Sequence, residues 1–291
     1  MELQQLRYLL AVAQAGTFTK AAAVCRVAQP SLSAQIAKLE RELGGPLFER
    51  GRHGARLTQR GQILRSWAAD ALGRLDAAKR ELEELSGLKR GRVVIGCLPT
   101  TGGYLLPKLL TVFIKRYPNI HVDLQEASSP RLAQALRDFE IDLAILDEAG
   151  LGPGITSTRL FSEPLVLALP SGHRLEKRKS IDLSALTDEP FILMKSGHGF
   201  RTIVMDALTH AGVKPRVVYE SDQIETVQRL VEARFGISIV PCMVKKPAGL
   251  SYIAINPPAP SRTLLVAYRD GTGLSAAAEC LRATAKQVLN G

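Results

Sequence analysis

The chain has 291 residues, 46% of them apolar, with 38 Lys and Arg against 28 Asp and Glu for a formal charge of +10. That length exceeds one compact domain and that apolar content fills more than one core, which excludes a disordered or fibrous chain. The basic excess sits mainly in residues 1–92, which hold 16 Lys and Arg against 9 Asp and Glu, and it points to a polyanionic partner for that segment.

Leu3, Leu6, Leu9, Leu10 and Ala13 recur at helical spacing up to Gly16 and predict a first helix with one apolar face. A second helix is expected from Thr19, read as its N-cap, through Ala21, Ala22 and Ala23, whose small side chains let another helix cross closely. After a tight turn Gln29 and Pro30 open a third, with Leu32, Ile36, Leu39 and Leu43 at steps of four, three and four as its buried stripe. Its other face carries Ser31, Ser33, Gln35, Lys38 and Arg41. Short hydroxyl and amide groups near a positive helix end suit base edges and phosphates. With Thr19 and Lys20 at the start of the preceding helix, these residues predict a helix-turn-helix reader of double-stranded DNA. A plain amphipathic helix pair is the competing reading.

After Gly44 and Gly45 the segment PLFERGRHGARLT places a basic tip at Arg50, Arg52, His53 and Arg56 between two short apolar grips, which predicts a β-wing at 46–57. Such a tip lays arginines on the DNA backbone or in a minor groove, unless it is simply a solvated loop. From Thr58 to Leu88 there is no proline, and Leu64, Ala68, Ala71, Leu75, Ala78, Leu82 and Leu85 alternate steps of four and three. This heptad seam predicts a long helix that pairs with its own copy in a homodimer. The competing reading docks the seam on the second half of the same chain.

Beyond Ser86 and Gly87 the pattern changes to strand-length apolar runs at 93–98, 121–127, 142–146, 163–170, 189–194, 216–221, 236–241 and 263–268. Helical patterns near 103–116, 130–139, 200–211, 223–234 and 274–289 separate many of them. The alternation predicts an α/β region of mainly parallel strands, divided into two lobes with a cleft. In such lobes ligands gather at the carboxyl ends of strands. Thr100 and Thr101 follow the first strand, Ser128 and Ser129 follow the second, and His198, Phe200, Arg201 and Gln223 follow later ones. These are the candidate effector-binding residues, and their hydroxyls, N–H donors and arginine suit a small organic acid. Helix capping, a structural histidine and a surface ion pair are the competing readings.

Cys25, Cys97, Cys242 and Cys280 lie far apart and match no zinc spacing, so no metal and no cofactor is predicted. Cys97, at the end of an apolar strand, is the one thiol considered for a redox role, against simple packing. No apolar stretch approaches the ~20 residues of a membrane span, so no membrane contact is expected. The early acid Glu2 is unlike a signal peptide, and a cytoplasmic protein is expected. The sequence contains no G-x-S-x-G, no Walker A, no G-x-G-x-x-G after the first strand and no paired-histidine metal motif. An enzyme, or a solute-binding protein built on the second half alone, is therefore the weaker alternative.

The stretches LRYLLAVAQAGTFTKAAAVCRVAQPSLSAQIAKLERELGGPLFER, TQRG and VVIGCLPTTGGYLLPKLL resemble the LysR-type transcriptional regulators, and the resemblance runs the whole length. It implies a winged helix-turn-helix at 1–58, a dimerising linker helix at 59–89 and an effector-binding region at 92–291 like the type 2 periplasmic binding proteins. Lobe one would be 92–162 with 268–291, and lobe two 163–267. The resemblance further implies dyad-symmetric promoter sites, a small-molecule switch in the cleft, homotetramers and RNA polymerase as a further partner. Within the family, GCLPTTGGYLLPKLL and MKSGHGFR look most like the OxyR-like, peroxide-sensing branch. Where that branch carries its two thiols, this chain has Gly199 and Leu208, neither of which forms a thiolate or disulfide. A thiol-based redox regulator is thus the alternative. Ala34 follows Ser33 where the family often has an arginine, which puts base contacts at that position in question.

Overall fold

The computed structural model describes residues 1–51, 54–85, 91–271 and 273–289, and they form two compact units. Arg52, His53 and the expected end of the linker helix at 86–89 lie outside the described residues, as does the side chain of Arg50.

The first unit runs α1 (Leu3–Ala15), α2 (Phe18–Val24), α3 (Gln29–Glu42), β1 (Phe48–Gly51), β2 (Gly54–Leu57) and α4 (Gln59–Leu85). One core joins them, built from Leu6, Leu9 and Val12 of α1, Ala21 and Ala22 of α2, Leu32, Ile36 and Leu39 of α3, and Leu47 and Phe48 at the wing. Ala21 and Ala22 are buried and let α2 lie close to its neighbours, whereas Ala23, expected with them, is exposed. Two expectations are corrected. Thr17, not Thr19, caps α2: its backbone is extended and its Oγ1 accepts from the Lys20 N–H at 3.2 Å, which leaves Thr19 exposed inside the helix. Leu43 is not part of the buried stripe; it ends α3 as the C-cap and stays 38% exposed.

β1 and β2 pair antiparallel as the wing. Gly16, at φ +70°, ends α1, and its carbonyl accepts from the Ala55 N–H at 2.8 Å. Phe18 and Phe48 meet edge-on with centroids 5.5 Å apart. Thr58 opens α4 by donating to the Pro46 carbonyl at 2.8 Å while its Oγ1 accepts from the Gly61 N–H at 3.1 Å.

The seam on α4 is shifted from the expected one. Leu64, Ala68 and Leu72 pack against the unit's own core. The large apolar side chains exposed on α4 are Ile63, Trp67, Leu75 and Leu82, at 58%, 69%, 42% and 64% exposure. With the exposed Ala71 and Ala78 they form one stripe. Ile63 and Trp67 thus replace Leu64 and Ala68 at its start, because helix α1 covers the other face.

The second unit runs β3 (Arg92–Cys97), α5 (Pro99–Tyr104), α6 (Leu106–Arg116), β4 (His121–Glu126), α7 (Ser129–Arg137), β5 (Leu143–Asp147), β6 (Ile155–Pro170), β7 (Ser180–Ile181), β8 (Pro190–Met194), α8 (Gly199–His210), β9 (Arg216–Ser221), α9 (Ile224–Glu232), β10 (Ser238–Pro241), β11 (Leu250–Ile255), β12 (Ser261–Arg269) and α10 (Ala276–Leu289). Two hydrophobic cores define two lobes. In the first, β4, β3 and β5 are parallel and β12 runs antiparallel between β5 and the first part of β6. In the second, β10 and β11 pair antiparallel with the last part of β6, and β8 and β9 form a parallel pair.

Mainly parallel strands were expected, and the sheet is mixed because the long strand β6 serves both lobes. The return to lobe one is also earlier than 268: Leu264, Leu265, Val266 and Ala267 belong to its core. The helix expected at 103–116 is two, α5 and α6, parted at Leu105 just before Pro107, which has no N–H to continue the ladder.

Thr17→Ala is expected to cost about 1 kcal/mol of stability in chemical unfolding followed by circular dichroism, and Thr19→Ala only a few tenths.

Candidate functional site

In the first unit Thr19, Lys20, Gln29, Pro30, Ser31 and Lys38 are exposed and Ser33 and Gln35 are half-buried. The start of α3 therefore carries a polar outer face of Gln29, Pro30 and Ser31, continued by the exposed Ala34. Two predicted residues also bond to α1 or its cap, Gln35 at a part-buried contact and Lys38 at an exposed one. The Gln35 Oε1 accepts from the Nε2 of the buried Gln5 at 3.1 Å. The Lys38 Nζ donates to the Glu2 Oε1 at 2.8 Å, and that bond raises the Lys38 pKa and lowers that of Glu2. Both side chains thereby connect α3 to the start of α1.

Other positioning residues escaped the sequence reading. The Glu40 Oε1 accepts from the Leu47 and Phe48 N–H groups at 2.8 and 3.2 Å and ties α3 to the wing. The Arg60 Nη1 donates to the Leu43 and Gly44 carbonyls at 3.1 Å each, a cation at the negative end of α3. Both contacts link residues brought together only by folding, so no local pattern marks them. Of the wing arginines, Arg56 is exposed on β2.

In the second unit the carboxyl ends of β3, β4 and β5 meet those of β8 and β9. Three contacts join the lobes there. The Tyr104 hydroxyl donates to the Glu225 Oε1 at 3.4 Å. Gly199 lies against the Asp147 carboxylate. The Arg262 Nη1 donates to the Thr100 Oγ1 at 2.9 Å.

Arg262 has no exposed side-chain surface. Its Nε and Nη2 lie 2.7 and 2.6 Å from the Glu163 Oε1, and its Nη2 is 3.1 Å from the Met243 Sδ. The guanidinium also lies over the Phe200 ring, 5.9 Å from its centroid. The other oxygen of Glu163 accepts from the Met243 N–H at 3.0 Å and from the Cys242 thiol at 3.7 Å. Sequence reading missed this pair, although a charged residue at the edge of each apolar run, Glu163 and Arg262, was a signal.

The structure thus brings Thr100 and Phe200 together around Arg262. Ser129 is buried, and its Oγ accepts from the Asp147 N–H at 3.2 Å, while Ser128 is half-buried. Thr101 is buried and turned back on the Leu98 carbonyl at 2.8 Å, and Gln223 is exposed at the cap of α9. These two are not gathered with the rest. The uncompensated arginine expected for an organic acid is corrected: the Arg201 Nη1 sits 2.7 Å from the Glu220 Oε1 and also donates to the Met194 carbonyl. The His198 Nε2 stands 3.6 Å from the Asp222 Oδ1, and Lys195 holds the other oxygen of Asp222 at 2.7 Å, which lowers the Asp222 pKa.

Three of the four thiols, Cys25, Cys97 and Cys242, stand in settings that disfavour the thiolate. Cys97 is buried, and burial together with the nearby Glu126 charge pushes its thiol up to about 12. Burial, then the Glu163 carboxylate, also raises that of Cys242, and burial raises that of Cys25. A reactive cysteine needs the opposite, an electropositive setting that favours the thiolate. Among the described residues no group of three or more His, Cys, Asp or Glu could hold a metal, and no helix is long and apolar enough to cross a membrane.

Glu163→Ala should leave a buried guanidinium without its counter-charge and cost about 3–5 kcal/mol in chemical unfolding. Iodoacetamide at about pH 8 should leave Cys97 unlabelled in the native protein and label it after denaturation, as mass spectrometry of peptides will show.

Residues 3–62 match the family described as "Bacterial regulatory helix-turn-helix protein, lysR family", and residues 86–290 match "LysR substrate binding domain". The regulator YcgK of Bacillus subtilis is 33% identical over 309 residues, covering 99% of this chain and 95% of its own. The DNA-binding transcriptional dual regulator OxyR of Escherichia coli K12 is 30% identical, covering 100% of this chain and 97% of its own. Full-length OxyR of Pseudomonas aeruginosa, solved with a cysteine-to-aspartate substitution, superposes with a TM-score of 0.75 at 28% identity and covers 100% of this chain and 99% of its own. The chain belongs to the LysR family: it is a DNA-binding transcriptional regulator with an effector-binding domain, and not an enzyme.

Proposed function

We propose that the chain binds a dyad-symmetric promoter site as a homodimer, further paired into a homotetramer, and changes its hold on DNA when a small molecule enters the cleft between the lobes. The exposed polar start of α3 carries this reading. Gln29 and Ser31 stand clear of the core while Leu32, Ile36 and Leu39 are locked into it, the arrangement that lets a helix offer its first turn to a major groove. The exposed Lys20 and Arg56, with Arg50 and Arg52 by sequence, supply the phosphate contacts.

Dimerisation is assigned to the stripe of Ile63, Trp67, Leu75 and Leu82, since four exposed large side chains on one helix face favour pairing of two copies. The effector is assigned to the facing strand ends around Thr100, Ser128, Ser129, His198 and Phe200. Arg262 links the first lobe to the second there, so a ligand that disturbs its contacts alters both lobes together.

Fluorescence anisotropy with the chain's own upstream DNA and with random duplex tests the reading. Preference for the upstream DNA supports it; equal affinity for both overturns it. Gln29→Ala or Ser31→Ala should narrow the preference by about 1–3 kcal/mol. Arg56→Ala should weaken all sequences alike and make the salt slope shallower by about 1.

A further inference from the structure

The turn between α2 and α3 carries a residue whose backbone and side chain are at odds. Helix α2 closes with two hydrogen bonds: the Arg26 N–H donates to the Ala23 carbonyl at 3.1 Å and the Val27 N–H to the Ala22 carbonyl at 3.0 Å. This pairing puts the residue after the C-cap in the left-handed region, and Arg26 has φ +55°. Glycine takes that conformation freely, whereas an L side chain is strained in it. For the turn alone, glycine at 26 would be the better residue.

Arg234 shares the conformation, at φ +66°, and there the side chain has an internal use: its Nη2 donates to the Ser171 carbonyl at 2.7 Å. Among the described residues the Arg26 side chain has no hydrogen bond or ion pair. Its neighbours Cys25 and Val27 pack against the core of the unit, while Arg26 itself is exposed, as are Ala23, Ala28 and Val24, the last at 73%. Residues 3–39 hold the cations Arg7, Lys20, Arg26 and Lys38 and no Asp or Glu. Arg7 meets Asp76 and Lys38 meets Glu2, both acids from outside that stretch. Lys20, in the first turn of α2, and Arg26, just past its end, keep their charge without an acid beside them among the described residues.

We propose that Arg26 holds a phosphate of duplex DNA beside the groove that α3 enters, and that the strain at 26 is retained for this contact. The proposal rests on the start of α3 reading DNA and adds a contact from the turn that precedes it. A guanidinium offers two parallel donors to a phosphate and recognises no base, so it adds affinity for every sequence. The small uncharged side chains around Arg26 let the DNA backbone approach without meeting a carboxylate. Stability and affinity therefore pull in opposite directions at this one position.

The test uses full-length protein and fluorescence anisotropy with the chain's own upstream DNA and with random duplex, over a series of salt concentrations. Arg26→Gly should weaken binding to both duplexes alike, by about three- to tenfold, and make the salt slope shallower by about 1. The same variant should unfold at a midpoint about 2–4 °C higher, because glycine relieves the turn. The fluorescence of Trp67, the chain's one tryptophan and part of the same unit, reports that midpoint. Arg26→Asn, neutral and also at home in the left-handed region, should reproduce the loss of affinity. Arg26→Lys, charged but without the planar fork, should restore the salt slope and only part of the affinity.

Unchanged affinity and slope in Arg26→Gly overturn the proposal, as does a loss confined to the upstream DNA, which marks base reading and not a phosphate contact. A lower midpoint in Arg26→Gly together with weaker binding assigns Arg26 to the fold and overturns it too. Wild-type protein that does not distinguish upstream from random DNA counts against the reading of α3. An intact wild-type preference with an unchanged salt slope in Arg26→Gly counts against Arg26 alone.

Discussion

The buried contact between Arg262 and Glu163 is the constraint on which the effector-binding unit depends. Removing both charges from water is costly, and the fold sustains it only because each donor and acceptor is matched. Arg262 meets a carboxylate, a threonine hydroxyl, a thioether and an aromatic face, and Glu163 takes a further backbone N–H. These partners come from β6, β12, α5, α8 and the segment after β10, so five pieces of chain must be correctly placed before the charges are satisfied. Cores of leucine and valine tolerate small shifts; a planar guanidinium with fixed donor directions does not. The pair therefore sets the geometry in which the lobes meet.

Regular elements were legible where one periodic face is buried. α1, α3 and α10 follow from apolar spacing. What stayed hidden was decided by competition between equivalent local choices or by partners distant in sequence. Thr17 and Thr19 are both plausible caps, and only the extended backbone at Thr17 selects one. Leu64 and Ile63 both fit an apolar stripe on α4, and which is covered depends on where α1 lies. β7 is two residues long and β11 alternates only weakly, so neither stood out.

The candidate site was legible as a location but not as a circuit of contacts. Residues following strands were sought at strand ends, and Thr100 and Phe200 both contact Arg262. Their roles could not be read, because each depends on a partner far away in sequence: Arg201 on the Glu220 carboxylate, Thr100 on Arg262, Ser129 on the Asp147 backbone N–H. The likeness to the peroxide-sensing branch was a sound guide to family, while burial raises the pKa of Cys97, the thiol that sequence singled out.

The bond between the Gly16 carbonyl and the Ala55 N–H has a consequence for how DNA is read. It clips the wing to the turn that launches α2, while Glu40 clips the wing to α3. Helix and wing are consequently one template with a fixed span, not two probes that adjust separately. A duplex whose neighbouring grooves do not match that span must bend or twist to fit, and sequences differ in how readily they do so. Part of this regulator's choice among promoters would then reside in the stiffness of bases that it never touches.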